Sequence, residues 1–177
     1  MFVYKFILFL LKFTTHEHHL LDYMERYWII LPRNKKIPSI RLHHLLSSDS
    51  DRALHDHPWW YFSIILSGGY WEVTWVDALA YVDAPWEYAD YELVLDVHTF
   101  DIVYLKRWYG PGSILFRKAS HLHRLILPNT FERKAETWTL FISGPKSKEW
   151  GFMTDCGWIK WDEYESPDEV AYHKGKG

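Results

Sequence analysis

Short runs of hydrophobic residues, rich in β-branched and aromatic side chains, alternate with polar or glycine-containing turns from residue 37 onward. Such runs predict β-strands joined by tight connections, with a break at Pro58 in the second of them. The predicted strands are 40–46, 53–66, 70–76, 91–97, 102–108, 113–117, 122–127 and 137–142. Many short strands with turns between them are typical of a β-sandwich or barrel.

The first 36 residues have a different pattern. Residues 2–13 are apolar except for Lys5 and Lys12, and this run is shorter than the about 20 apolar residues of a membrane-spanning helix. It has no small-residue cleavage site of the kind that follows a signal peptide, so we expect a packed segment, with a contact to a membrane surface as the alternative. In residues 20–28 the apolar positions have helical spacing, which predicts a short amphipathic helix ending before Pro32.

These patterns divide the chain into three parts. We predict an N-terminal helical segment over residues 1–36 that packs on the barrel, a β-rich domain over 37–165, and a loose polar tail over 166–177. The 177 residues suit a single domain.

Composition excludes several classes of protein. With 48% hydrophobic residues and a net charge of -3, the chain is neither disordered nor basic enough to coat nucleic acid. The single cysteine, Cys156, excludes an internal disulfide and favours a reducing compartment, so we expect a cytoplasmic protein. The 11 Trp, 12 Tyr and 10 Phe fit a β-rich core, and a pocket lined by aromatic rings is the alternative.

Two pairs of histidines have strand spacing. His55 and His57 are two residues apart, so their side chains would share one face and could bind one ion. His121 and His123 form a second such pair, and it follows a strong turn at residues 110–112.

This arrangement resembles the cupin family. The first cupin motif, G-x5-H-x-H-x3,4-E-x6-G, is matched by His55, His57 and Gly68, and the second by a Pro-Gly turn, a strand and then His123. Over residues 23–164 the chain looks like a group of small cupins common in bacteriophage and bacterial genomes, which generally carry no assigned reaction. If a phage encodes the protein, the expected cytoplasm is that of the host. The segments that carry this narrower resemblance are 51–60, 67–70, 123–125, 139–145 and 149–152.

The resemblance implies an all-β fold, the cupin-type double-stranded β-helix or jelly roll, with a short N-terminal helical segment. It also implies a divalent transition metal held by His55, His57 and His123, Fe(II) being favoured over Zn, Mn or Ni. His121 is the alternative third ligand, and the spacing from the Pro-Gly turn favours His123. The chain departs from the family where the cupin glutamate would stand, because Tyr61 and Phe62 occupy those positions.

Two functions follow from this hypothesis. The first is a metal-dependent enzyme acting on a small molecule, in the manner of the three-histidine thiol dioxygenases, with an isomerase or hydrolase also open. The second is a non-catalytic, metal-stabilised module that binds a small ligand or serves in assembly. We expect no nucleic-acid partner and no transmembrane span, and a homodimer through exposed edge strands is a further prediction.

The candidate site residues have different predicted roles. Tyr61 and His121 are candidates for proton donor or orienting group, and Glu72 for the place of the missing glutamate or for substrate binding. Trp59 follows the histidine motif directly and is a candidate for the substrate pocket. Four arginines flank the predicted cavity strands, where a guanidinium would bind a carboxylate or phosphate unless it forms a structural ion pair. They are Arg41, Arg52, Arg117 and Arg124, of which we assign Arg117 to the substrate.

Overall fold

Two antiparallel β-sheets make up most of the computed structural model, which describes residues 2–20, 22–30, 38–49, 53–83, 87, 89–94, 102–130 and 134–164. The helices are α1 (Phe2–Leu11) and α2 (Ala78–Asp83). In the described residues, one sheet has six strands: β1 (His16–Glu17), β2 (Met24–Ile30), β3 (Ser39–Leu45), β5 (Tyr61–Ser67), β9 (Ile114–Arg117) and β11 (Thr137–Ser143). The other has seven: β4 (Leu54–His55), β6 (Tyr70–Asp77), β7 (Glu92–Val94), β8 (Ile102–Tyr109), β10 (His123–Ile126), β12 (Gly151–Thr154) and β13 (Gly157–Lys160).

The order of the strands identifies the architecture. In the first sheet the inner order is β3-β11-β5-β9, and in the second it is β4-β10-β6-β8. From β3 onward consecutive strands lie in opposite sheets, except that β6, β7 and β8 share the second sheet, as do β12 and β13. This is the topology of a jelly roll, or double-stranded β-helix. The predicted all-β jelly roll, or double-stranded β-helix, with a short N-terminal helix is confirmed.

The helix predicted over residues 20–28 is wrong, because Met24–Ile30 forms strand β2. This strand pairs with β3 along its length, from Met24 opposite Leu45 to Ile30 opposite Ile40. The segment contains Tyr27 and Trp28, which fit a pleated surface well, and its helical spacing was only a weak preference that pairing with a neighbouring strand overrides. The N-terminal part of the chain thus extends the first sheet.

Helix α1 contacts β2 and β5, which flank the middle of the first sheet. Its Ile7 is buried, whereas most of its other apolar side chains are exposed. No helix in the described part of the chain is long and apolar enough to cross a membrane. The predicted tail at 166–177, the predicted turn at 98–101 and Arg52 lie outside the described residues.

The core fills the space between the sheets. One cluster joins Leu45, Ile65 and Leu115 of the first sheet to Tyr70 of the second. Alternate residues of β5 and β11 are buried, as expected for strands with one face toward a core. One end of this interior is polar, and the site described below lies there.

Gly68 offers a direct test of the turn between β5 and β6. Its φ is +79°, and a Cβ placed on it would lie 2.1 Å from the backbone oxygen of Glu136. We expect Gly68→Ala to lower the free energy of unfolding by about 3 kcal/mol, because the strained backbone and a backbone clash add. Gly112 has a similar φ of +88° with no described heavy atom within 4 Å of its Cβ position, so Gly112→Ala should cost only about 1 kcal/mol. Urea unfolding measures both, and equal costs would contradict the role of the clash.

Candidate metal centre

Three histidines converge at the polar end of the interior. His55 ends β4 and His123 begins β10, and the two residues face each other as an antiparallel pair. His57 follows two residues after His55, in the connection to β5. One ring nitrogen from each of the three lies within 4.8 Å of the others. The structure therefore brings together the three residues that the sequence motifs predicted as ligands.

The donor set fits a transition metal. The Nε2 atoms of His57 and His123 are 2.9 Å apart. Neighbouring nitrogen ligands, each about 2.1 Å from one ion, lie roughly 3 Å apart. Burial lowers the pKa of His57 well below its usual range, and the imidazoles of His123 and His55 lower it further. A neutral imidazole presents the lone pair that a metal ion requires.

Carboxylates stand behind two of these rings. Oε1 of Glu72 lies 2.8 Å from Nδ1 of His123, and Oδ2 of Asp49 lies 4.0 Å from Nδ1 of His55. A carboxylate at Nδ1 orients the ring and leaves Nε2 for an ion. In this arrangement Glu72 supports a histidine at the nitrogen that faces away from His57.

Glu72 is the centre of a buried network and is only 3% exposed. Nε of Arg117 donates to its Oε1 at 3.1 Å, Nη2 of Arg117 contacts Oε2, and Nε2 of His121 lies 3.3 Å from Oε1. Burial alone would raise the pKa of Glu72, but the hydrogen bonds from His121, His123 and Arg117 outweigh it and hold the pKa well below its usual range. The carboxylate of Glu72 is therefore ionised, and both of its oxygens accept hydrogen bonds.

The hydrogen bonds around Glu72 also involve Arg117 and His121, which were both predicted as site residues. Arg117 also donates from Nη2 to the hydroxyl of Tyr109 at 3.0 Å, so its guanidinium is engaged by protein groups. His121 and Arg117 line a shallow groove on the outside of the molecule. Glu72, His121 and His123 are close enough to hold an ion themselves, so they form a second candidate group that shares His123 with the first.

A cavity of about 290 Å³ opens beside the three histidines. Its volume is near the lower end of the range of small-molecule pockets, roughly 300–1,000 Å³. Trp59 and Tyr61 line it together with His55, His57 and His123. The Tyr61 hydroxyl lies 3.4 Å from both ring nitrogens of His123. Burial raises the pKa of Tyr61 well above its usual value, and the charge of Glu72 raises it further.

Other residues of the site escaped the sequence reasoning. Asp49 reads as part of a polar turn, and only the folded chain brings its carboxylate near His55. His43 lies on β3, two residues after Arg41, and both line the cavity. Their spacing was the available signal, because residues i and i+2 of a strand share a face and His43 would therefore lie on the same face as Arg41.

Comparison with known proteins assigns the chain no family and no activity. No protein-family model and no curated protein matches the chain. Similar solved structures include an RmlC-like cupin protein from Ralstonia eutropha JMP134, at 12% identity over 89% of this chain and 78% of that one, with a TM-score of 0.43.

The polyketide cyclase RemF from Streptomyces resistomycificus is 10% identical over 90% of this chain and 87% of its own, with a TM-score of 0.46. The DMSP lyase DddQ from Ruegeria pomeroyi DSS-3 is 13% identical over 77% of this chain, with a TM-score of 0.42. The chain spans about half the length of that lyase, 54%.

Proposed function

We propose that this protein is a metal-dependent cupin enzyme of the Fe(II) oxygenase class that acts on a small molecule. The observation that carries the proposal is the convergence of three histidine nitrogens within 4.8 Å at the wall of a cavity of about 290 Å³. Three imidazoles leave coordination positions open for small molecules, which suits a catalytic metal rather than a structural one. When bound there, Fe(II) would supply the redox chemistry by which oxygenases use dioxygen.

The protein groups have distinct parts in this proposal. His55, His57 and His123 would hold the ion, while Glu72 fixes the orientation of the His123 ring through a contact of 2.8 Å and Asp49 lies near the ring of His55. Glu72 thereby keeps the opposite nitrogen of His123 directed toward His57.

The groups around the histidines would act on the substrate and its protons. The hydroxyl of Tyr61, directed into the cavity at 3.4 Å from His123, is the group that we assign to donating a proton to bound substrate or orienting it. Trp59 forms part of the wall of the substrate cavity. His121 and Arg117 hold Glu72 in place from the outer groove.

Metal analysis and oxygen uptake test the proposal together. Purified protein reconstituted with Fe(II) should bind about one ion per chain and consume oxygen in the presence of at least one member of a panel of thiols and small carboxylic acids. A protein that binds no divalent transition metal contradicts the proposal outright. Tight metal binding without oxygen uptake across the panel would instead favour the non-catalytic, ligand-binding module.

Tyr61→Phe separates catalysis from metal binding. We expect the variant to retain its metal, because Tyr61 is not among the three ligands, and to lose activity by about 100-fold, the lower end of the effect of a proton donor. Tyr27→Phe is the matched control, since its hydroxyl bonds to Glu25 and lies away from the cavity. Steady-state oxygen uptake and metal content measure both effects. Full activity in Tyr61→Phe would remove Tyr61 from the mechanism.

A further inference from the structure

A second set of polar groups lines the cavity, and the metal does not use it. Arg41 and His43 extend from β3 into the cavity and are only 4% and 8% exposed. The guanidinium of Arg41 lies between aromatic rings, 4.6 Å from the centre of Trp28, 5.3 Å from that of Trp59 and 4.7 Å from that of Phe141. Arg41 is therefore fixed in position on the wall of the cavity.

Arg41 has no counter-ion among the described residues. No described carboxylate forms an ion pair with it, and its buried Nε has no described hydrogen-bond partner. The buried Nε2 of His43 and Nε1 of Trp59 are likewise without one, and both residues line the same cavity. A buried polar group without a partner destabilises the fold, and a charged one does so more strongly. Three such groups around one cavity indicate that a ligand completes them.

The charges around the cavity favour an anion. Burial lowers the pKa of Arg41 to about 9, and the neighbouring charge of Arg26 contributes, yet Arg41 is still protonated at neutral pH. Arg26 also lines the cavity. Asp49, whose carboxylate lies 4.0 Å from His55, accepts hydrogen bonds from Tyr23 and from the backbone of Leu125 rather than from Arg41. Within the described residues, no carboxylate therefore neutralises the positive charge of Arg41.

Aromatic side chains connect Arg41 to the three histidines. Phe141, which contacts Arg41, stacks on Tyr61 with 4.8 Å between ring centres. The Tyr61 hydroxyl lies 3.4 Å from His123. Phe141 and Tyr61 thus connect the guanidinium of Arg41 to His123 through successive contacts along the wall of one cavity.

We propose that the ligand of this cavity is a small organic monoanion whose carboxylate binds Arg41, with Trp59 and His43 as further polar contacts and with its apolar part against Phe141 and Tyr61. This inference rests on the function proposed above and names the class of its substrate. The planar fork of a guanidinium matches a carboxylate, which it can bind through two parallel hydrogen bonds. Of the two cavity arginines, Arg26 is bonded to His18, so the guanidinium of Arg41 between its aromatic rings is the one left to match a single negative charge on an apolar body.

Binding to metal-free protein tests the proposal independently of the metal. The probes are benzoate and acetate, their neutral isosteres benzamide and acetamide, and phenylphosphonate, each at fixed ionic strength. Isothermal titration and the thermal unfolding midpoint measure binding to the wild type, to Arg41→Met and to the control Arg107→Met. Arg107 is an arginine of β8 that pairs with Asp90 and does not line the cavity.

We expect benzoate to bind the wild type and the control, and to raise their unfolding midpoints, while benzamide does not. Arg41→Met should weaken benzoate binding at least about tenfold, the effect of losing a hydrogen bond to a charged group. Its own midpoint should stay unchanged or rise, because the substitution removes an uncompensated buried charge.

Three results would overturn the proposal. If no carboxylate binds in a manner that depends on Arg41, the cavity has no carboxylate subsite. Tighter, Arg41-dependent binding of phenylphosphonate than of benzoate would assign the subsite to phosphoryl groups. A lower midpoint in Arg41→Met with an unchanged response to benzoate would make Arg41 a structural residue held by its aromatic neighbours. Because the protein is metal-free throughout, a failure to bind metal leaves this test intact.

Discussion

Replacement of His55 by alanine is expected to reduce the bound metal from about one ion per chain to background. His55 contributes one of the three nitrogens that lie within 4.8 Å of one another, and Asp49 stands behind its ring. Loss of a residue that merely supports a ligand weakens metal binding about 10- to 100-fold, so loss of a ligand itself should exceed that range. Metal content after dialysis, measured by elemental analysis, gives the answer, and the exposed His19→Ala serves as the control.

His121→Ala is the informative partner of this experiment. His123 belongs to both candidate groups, whereas His55 belongs to one and His121 to the other. We expect His121→Ala to keep most of its metal, because His121 acts on Glu72 rather than on the ion. Metal retained in His55→Ala and lost in His121→Ala would move the ion to the group of Glu72, His121 and His123.

The largest effect on stability is expected at Glu72. Its carboxylate is buried and contacts Arg117, His121 and His123, so Glu72→Gln removes the charge that these donors share. Breaking a buried ion pair from one side costs about 3–5 kcal/mol, since it leaves the other charge without compensation. Urea unfolding of the metal-free protein measures the loss without any contribution from an ion.

Two further variants make this prediction specific. Glu92→Gln removes a partner of Lys106 from an exposed ion pair, which should cost less than about 1 kcal/mol. Removing both partners, as in Glu72→Leu with Arg117→Leu, should be less costly than Glu72→Leu alone, because no charge is then buried unpaired. Equal stability of Glu72→Gln and Glu92→Gln would show that the network does not stabilise the fold.

Local sequence patterns predicted most of the strands from residue 39 onward and identified three histidines that the fold brings together. A period of two marks a strand with one buried face, and a histidine pair at that spacing shares a face wherever the strand runs. The pattern failed for residues 20–28, where Leu20, Tyr23, Met24 and Tyr27 have helical spacing but pairing with β3 decides the structure. The hairpin of β12 and β13 was not predicted, although Gly157 occupies its turn with a φ of +104°.

The role of a charged residue depends on partners that are distant in sequence. Arg41 and Arg117 both flank predicted cavity strands, and from the sequence we assign Arg117, rather than Arg41, to the substrate. In the folded chain Arg117 meets Glu72, 45 residues away, whereas Arg41 meets aromatic rings and the cavity. Asp49 is comparable, since its contact with Leu125 spans 76 residues. Such pairings follow from strand order, which local patterns do not encode.

The short strand β4 has a mechanical consequence. In the described part of the second sheet, His55 opposite His123 is the single residue pair that joins β4 to β10, and the hairpin of β12 and β13 is attached to the sheet through β4. A sheet opens with the smallest free-energy cost where two strands share the fewest backbone hydrogen bonds, as β4 and β10 do here. His55 of β4 and His123 of β10 would bind the same ion. Metal binding would therefore hold the two strands together and lower the frequency with which this edge of the sheet opens.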